Sequence, residues 1–230
     1  AMFLHLKNIL TADELAHARS LLGETAPWVN GARSAGEQAV QHKNNQQLAQ
    51  DSDAARELQA LVLQAVQRDA LFFSAALPKR IFNPLFNRYS GATNFYGDHV
   101  DGAILHSRAT QQWVRTDISC TLFLADPDEY EGGELTVREH EGDKRIKLPA
   151  GDAILYPGST VHQVAPVTRG ARLASFFWVE SMVRSTEQRH LLFDMDMALL
   201  QLRASAGERD PAVVRLTGTY HNLLRMWADS

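Results

Sequence analysis

The sequence predicts an α+β fold: an antiparallel β sandwich or barrel, flanked by N-terminal helices and followed by a C-terminal helical hairpin. Three observations predict it. Apolar residues recur at helical spacing before about residue 70 and after about residue 185. Between them, short apolar runs alternate with turn signals such as Asn83-Pro84, Ser90-Gly91, Asp126-Pro127, Gly132-Gly133, Gly151-Asp152, Pro157-Gly158 and Arg169-Gly170. Strands punctuated in this way suggest an antiparallel sandwich or barrel.

The helical parts carry their own start signals. Thr11-Ala12-Asp13-Glu14 fits a capping box, with Thr11 as N-cap and Glu14 reaching back. Leu15, Ala18, Leu21 and Leu22 follow at helical spacing. A second helix is expected from about Asp53 to Asp69, with Leu58, Leu61, Val62 and Val66 on one side. Between the two, residues 31–51 are polar and Gln/Asn-rich. They read as an exposed connection, or as a lid over a site. The β texture begins near Phe72, and Ile118–Leu124, Ala153–Tyr156 and Arg172–Glu180 are its expected core strands. Ser185 with Gln188 is another capping-box candidate, ahead of a stripe of Leu191, Leu192, Met195, Leu199 and Leu202. Asp210-Pro211 restarts a helix, with Asp at N-cap and Pro at N1. The expected organisation is one domain in three parts: a helical support region over 1–71, the β core over 72–184 and a helical segment over 185–230. The last segment could pack on the core or on a second copy of the chain.

Composition narrows the function classes. The chain has 230 residues, 45% of them hydrophobic, and a formal charge of −4. That size supports one substantial core. An acidic balance without basic runs argues against nucleic acid as substrate, because phosphate binding needs clustered Lys and Arg. The single cysteine, Cys120, permits no intrachain disulfide and points to a reducing, cytoplasmic compartment. No apolar run reaches the roughly 18 residues of a membrane span. Met2–Lys7 lacks the character of a secretory signal.

The chemistry is concentrated in Tyr96-Gly97-Asp98-His99-Val100-Asp101-Gly102, answered later by Val161-His162 and Arg172. Residues two apart on a strand share a face, so His99 and Asp101 can enter one cavity while Asp98 and Val100 turn away. Imidazole and carboxylate are the ligands of a non-haem Fe(II) site with open positions. The pair alone is weak, since random order supplies roughly 0.6 such spacings in a chain with these His and Asp counts. His162 lies far enough along to come from another strand. Arg172 opens the apolar run Leu173–Val179, where a buried guanidinium needs an anionic partner, either an internal carboxylate or a ligand. On an unbroken strand Arg172, Ala174, Phe176 and Trp178 share a face. Trp178 would then border the substrate space or fill the core. His106 reads as a loop residue near the mouth, Gly132-Gly133 and Gly151-Asp152 as turns, and Cys120 as a small buried residue.

Taken together, these residues resemble the Fe(II)/2-oxoglutarate dioxygenases. The likeness is to the prolyl 4-hydroxylase-like branch and its bacterial PKHD-type (PiuC-like) hydroxylases, from about Phe82 to Arg184. The motifs that carry it are Arg88-Tyr89-Ser90-Gly91, Tyr96–Asp101, Glu131-Gly132-Gly133-Glu134-Leu135, and Tyr156-Pro157 through His162 to Arg172. The resemblance implies a double-stranded β-helix (jelly-roll) core. It implies Fe(II) held by His99, Asp101 and His162, and 2-oxoglutarate held at its far carboxylate by Arg172 with help from Tyr89. It implies O2-dependent hydroxylation of an unactivated C–H bond, with 2-oxoglutarate decarboxylated to succinate and CO2, and ascorbate as a reductant. A carboxylate at 101 takes the place a halide would need, which favours hydroxylation over halogenation. The sequence departs from many prolyl hydroxylases at Thr121–Leu124, which lacks a tyrosine, and this leaves the prolyl assignment open. A peptidyl proline, a free amino acid and a siderophore-like small molecule all remain as substrates. The alternatives are a non-catalytic sensor of iron and 2-oxoglutarate signalling through the C-terminal helices, and a Zn or Mn cupin-like hydrolase or isomerase.

Overall fold

The structure is a computed structural model and describes residues 2–34 and 42–230. In chain order its elements are β1 (Leu4–Leu6), α1 (Ala12–Leu21), β2 (Trp28–Asn30), β3 (Lys43–Asn44), β4 (Gln46–Leu48), α2 (Asp53–Gln67) and α3 (Ala70–Ala76). The central strands are β5 (Pro78–Ile81), β6 (Leu85–Ser90), β7 (Phe95–His99), β8 (Ile104–Ser107), β9 (Gln112–Arg115), β10 (Ile118–Phe123), β11 (Tyr130–Gly132) and β12 (Leu135–Val137). They continue with β13 (Lys144–Ile146), β14 (Ala153–Pro157), β15 (His162–Val164) and β16 (Val167–Ser181), and the chain closes with α4 (Thr186–Ala206) and α5 (Pro211–Trp227).

The larger sheet runs β1-β14-β10-β16-β6-β4-β2, with β5 and β11 also pairing to β16. The smaller runs β13-β12-β15-β7-β3, and β8 and β9 form a separate hairpin. Among the described residues, the pairings of β7, β10, β15 and β16 are all antiparallel. This is the jelly-roll arrangement of a double-stranded β-helix, in which two antiparallel sheets bury their inner faces against each other. Every residue of β10 is buried, as expected for a strand covered on both faces. The main core joins α2 (Leu58, Val62, Val66) to the larger sheet (Leu122, Leu155, Phe177).

The caps follow the sequence closely. Thr11 and Glu14 close a reciprocal capping box. Ser185 Oγ accepts from Gln188 N without the reciprocal bond of the expected capping box among the described residues, and Asp210 accepts from the backbone N–H of Ala212 and Val213 with Pro211 at N1. Each satisfies an N–H that a helix start leaves open.

Four expectations need correction. Phe72 does not begin a strand: α3 starts at Ala70, capped by Asp69 accepting from Phe72 N, so the anticipated boundary at 71/72 falls inside a helix. The first third is not purely supporting helix, because β1 extends the larger sheet beside β14 and β4 extends it beside β6. The polar stretch 31–51 is in part sheet rather than an exposed flap, with β3 on the smaller sheet and β4 on the larger; its residues 35–41 lie outside those described. The α4 stripe turns differently, since Leu192 and Leu199 are buried while Leu191 is 60% exposed. A seven-residue step is two helical turns, and it keeps Leu192 and Leu199 on one face toward Leu77, Val183 and Tyr220. No helix among the described residues is long and apolar enough to cross a membrane.

Candidate metal centre and its cavity

Strand pairing brings the two histidines together. β7 and β15 are antiparallel neighbours in which His99 is the register partner of His162. Side chains directly opposite on adjacent strands lie on one face, and here the imidazole centroids are 4.3 Å apart. Asp101 follows His99 by two residues, just beyond the end of β7. Its Oδ1 lies 3.6 Å from His99 Nε2 and 3.6 Å from His162 Nε2. The three donor atoms lie within 4.8 Å of one another, and they form the metal-capable cluster found among the described residues.

Neighbouring groups orient each donor. His99 Nδ1 lies 2.7 Å from Gly97 O, and His162 Nδ1 lies 3.0 Å from Thr160 O. A carbonyl can only accept, so each Nδ1 carries the proton and each Nε2 lone pair is left for a metal; the tautomer follows from this bonding. Asp101 Oδ2 accepts from Ser119 Oγ at 2.8 Å and from Trp178 Nε1 at 2.9 Å, which turns Oδ1 toward the histidines. The Tyr96 ring stacks on His99 with centroids 3.6 Å apart. Burial, then the neighbouring His162, lowers the His99 pKa to about 4. The imidazole is neutral at pH 7, which is the ligating form. Two imidazoles and one carboxylate are a donor set that suits Fe(II) and leaves coordination positions open.

Arg172 stands across the same cavity. It is 1% exposed and is paired in register with Tyr89. Its Nε donates to Gly133 O at 3.0 Å, and its guanidinium carbon lies 5.3 Å from the Tyr89 and Phe123 ring centroids. Gly133 turns that carbonyl inward at φ +70, where a Cβ would meet Val167 Cγ2 at 2.8 Å. The internal salt bridge considered for Arg172 does not form: no carboxylate among the described residues lies within 4.0 Å of it. A buried guanidinium is costly without an anion, and its planar fork matches a carboxylate. Burial pushes the Tyr89 pKa up to about 12, so its hydroxyl stays protonated and can donate.

The cavity holds about 1030 Å³, and its wall includes His99, Asp101, His162, Arg172 and Tyr89. Trp178 also lines it, but its indole N–H is engaged with Asp101, so it supports the centre as well as bordering open space. Asp98 turns out to Arg138, as its alternation on the strand predicted. His106 is on β8 rather than in a loop and packs on Trp113. Cys120 is buried and its thiol pKa is raised by burial.

Sequence reasoning gave no place in the cavity wall to Lys43 or Tyr156. Lys43 is 8% exposed, with its ammonium 5.1 Å from the Tyr96 centroid and 5.7 Å from that of Phe176. Burial lowers its pKa to about 8. Tyr156 packs edge-on against His162, with centroids 5.3 Å apart. It is the register partner of Ser119 on β10 and its hydroxyl reaches the Thr121 side chain, so an aromatic hydroxyl is present near the strand that lacks a tyrosine of its own. The signal for Tyr156 was its place in the strand before His162. Lys43 had none, because the Gln/Asn-rich stretch around it hides the two-residue alternation.

The model of the 2OG-Fe(II) oxygenase superfamily matches residues 84–180, and that of the PKHD-type hydroxylase C-terminal domain matches residues 187–229. A PKHD-type hydroxylase of Polaromonas sp. (strain JS666) is 61% identical over 229 residues, covering 100% of both chains. One of Variovorax paradoxus (strain S110) is 58% identical, covering 99% of this chain and 100% of its own. Among solved structures, a prolyl hydroxylase from Trichoplax adhaerens, in complex with a hypoxia inducible factor peptide fragment, aligns with a TM-score of 0.53 at 15% identity. That alignment covers 77% of this chain and 83% of the other. The non-heme alpha ketoglutarate dependent carbocyclase SnoK from nogalamycin biosynthesis aligns with a TM-score of 0.54 at 15% identity, covering 79% and 80%. These two likenesses speak to the fold.

Proposed function

The chain belongs to the PKHD-type hydroxylases of the 2OG-Fe(II) oxygenase superfamily, and on that premise we propose that His99, Asp101 and His162 hold Fe(II) while Arg172, with Tyr89, holds the far carboxylate of 2-oxoglutarate. One observation carries this reading. Three correctly typed donor atoms converge within 4.8 Å, in the same cavity wall as a buried arginine that pairs with no carboxylate among the described residues. When bound, iron and 2-oxoglutarate supply an oxidation in which O2 is consumed, 2-oxoglutarate becomes succinate and CO2, and a substrate C–H bond is hydroxylated.

The protein's own work is placement. Gly97 O and Thr160 O keep the two Nε2 atoms unprotonated and aimed at one point. Ser119 and Trp178 fix the carboxylate of Asp101, a kind of support that preserves metal affinity. Arg172 and Tyr89 offer donors to a dicarboxylate. Matches to hydroxylases over the whole chain favour catalysis over the sensor alternative.

The finer points are part of the same proposal. Ascorbate serves as the reductant that keeps iron ferrous. The protein works in the cytoplasm, in keeping with one buried cysteine. The substrate is a small molecule or a peptidyl group, and the exposed apolar residues of α4 and α5, among them Leu200 and Met226, support self-association.

The test is turnover without added substrate. Protein with Fe(II), ascorbate, O2 and 2-oxoglutarate should form succinate slowly, and His99→Ala or Asp101→Ala should abolish it. Tight iron binding with no 2-oxoglutarate binding would overturn the reading.

A further inference from the structure

Two carboxamides in the cavity wall have polar atoms without hydrogen-bond partners among the described residues. They are Asn45, through both Nδ2 and Oδ1, and Asn87, through Oδ1. The residues are 1% and 7% exposed. Native buried polar groups are nearly always bonded, and leaving one unmet is destabilising. Neither residue belongs to the donor set or to the Arg172 contacts described above.

The two stand close together. Gln46 and Gln47 of β4 pair with Arg88 and Asn87 of β6. Continuing that register puts Asn45 opposite Tyr89, with Asn87 two residues along the same strand. Such diagonal neighbours are within reach of one ligand group. The seat of Asn45 is also built in: a Cβ on Gly31 would lie 1.7 Å from Asn45 Oδ1, so a glycine is needed there. The Tyr89 hydroxyl is close enough to bond one end of the Asn45 carboxamide, but one hydroxyl cannot satisfy both ends of that carboxamide and also Asn87.

The unmet atoms indicate the ligand chemistry. Carboxylates of 2-oxoglutarate only accept, so they could serve Nδ2 and never Oδ1. An amide offers an N–H beside a C=O and meets a donor and an acceptor together. This holds whichever way each carboxamide is turned, because the pair always presents both kinds of atom.

We propose that Asn45 and Asn87 are specificity-determining residues that bind an amide group of the substrate, one donating to its carbonyl and the other accepting its N–H. The inference rests on the iron and 2-oxoglutarate reading, which locates the reacting end of the cavity. A site built to bond an N–H rejects an analogue that lacks it far more strongly than a merely apolar site does.

The experiment is calorimetric binding to protein loaded with Zn(II) and 2-oxoglutarate, which does not turn over. The probes are N-methylamides of a panel of aliphatic and amino acids, each compared with the methyl ester of the same acid. At least one N-methylamide should bind 10-fold or more tightly than its ester. Asn87→Leu should cut that preference below about 3-fold, and Asn87→Thr, which keeps an acceptor, should restore part of it. Thermal melting of both variants confirms that they fold. The proposal is overturned if amide and ester bind the wild type equally, if Asn87→Leu keeps the preference, or if no amide binds while 2-oxoglutarate still does. The last result would leave the carboxamides to cavity water. Failure of the wild type to bind Zn(II) and 2-oxoglutarate at all would instead overturn the metal-centre reading beneath it.

Discussion

Trp178 Nε1 and Ser119 Oγ donate to the same oxygen of Asp101, at 2.9 and 2.8 Å. The two residues are register partners on β16 and β10, so the sheet itself holds the carboxylate from below. Trp178→Phe keeps the aromatic bulk and removes one donor. Metal affinity should fall about 10-fold, the low end for losing a group that orients a ligand. 2-Oxoglutarate affinity, measured on protein saturated with metal, should change far less. An unchanged metal affinity would reduce Trp178 to a wall residue.

Arg172 makes the reciprocal prediction. Arg172→Ala should weaken 2-oxoglutarate binding by about 100-fold or more, the scale for truncating one partner of a buried charged pair. Metal binding should survive, because the donor set is on other strands. Titration of each ligand separately checks it. Equal loss of both would mean that the arginine supports the fold rather than the cosubstrate.

Much of this was legible from residue order, for reasons that can be named. The spacing of His99 and Asp101 points to one shared cavity, although β7 ends at His99 and Asp101 follows it off the strand, and an arginine opening the run Leu173–Val179 is visibly out of place. The caps at Thr11, Ser185 and Asp210 are short-range chemistry and read directly. What did not read was pairing between distant segments. Lys43 and Asn45 come from a stretch whose polarity suggests exposure, yet strand pairing to β7 and β6 buries them. Ala70–Ala76 looked like the start of the β region because Leu71, Phe72 and Phe73 are apolar and aromatic. Asp69 capping Phe72 N decides for helix instead. The support given to Asp101 by Ser119 and Trp178 depends on register across β10 and β16, which no local pattern encodes.

Stability should depend on pH through His99. Its folded-state pKa, about 4, lies below the ordinary value of 6.5. Between those values the unfolded chain binds the extra proton, so folding is favoured as pH rises and weakened as it falls. The metal-free protein should lose stability steadily as pH drops from about 6.5 toward about 4, and His99→Leu should flatten that slope. Urea melts at a series of pH values measure it. A wild-type slope that the substitution leaves intact would place the titration elsewhere.

Asp117 links the β8–β9 hairpin to the core. It accepts from Arg115 Nε and Nη2 at 2.7 and 2.9 Å and from Ser181 N at 2.9 Å. Asp117→Ala leaves Arg115 with Glu180 at 3.9 Å as its nearest remaining carboxylate. The pair is partly buried, so the expected cost is about 1–3 kcal/mol, between an exposed pair and a buried one, read as a lowered denaturant midpoint with an unchanged slope. A cost under about 1 kcal/mol, the range of an exposed pair, would show that the network contributes little.

The most direct test of the central claim is anaerobic titration of the metal-free protein with Fe(II) and 2-oxoglutarate, followed by visible absorption. Chelation of ferrous iron by the keto acid at a site with open positions should produce a charge-transfer band that needs both additions and saturates at one iron per chain. The band should be lost in His99→Ala and in Asp101→Ala. A band that persists in both variants, or its absence from the wild type despite bound iron, would contradict the assignment of His99, Asp101 and His162 as the metal ligands.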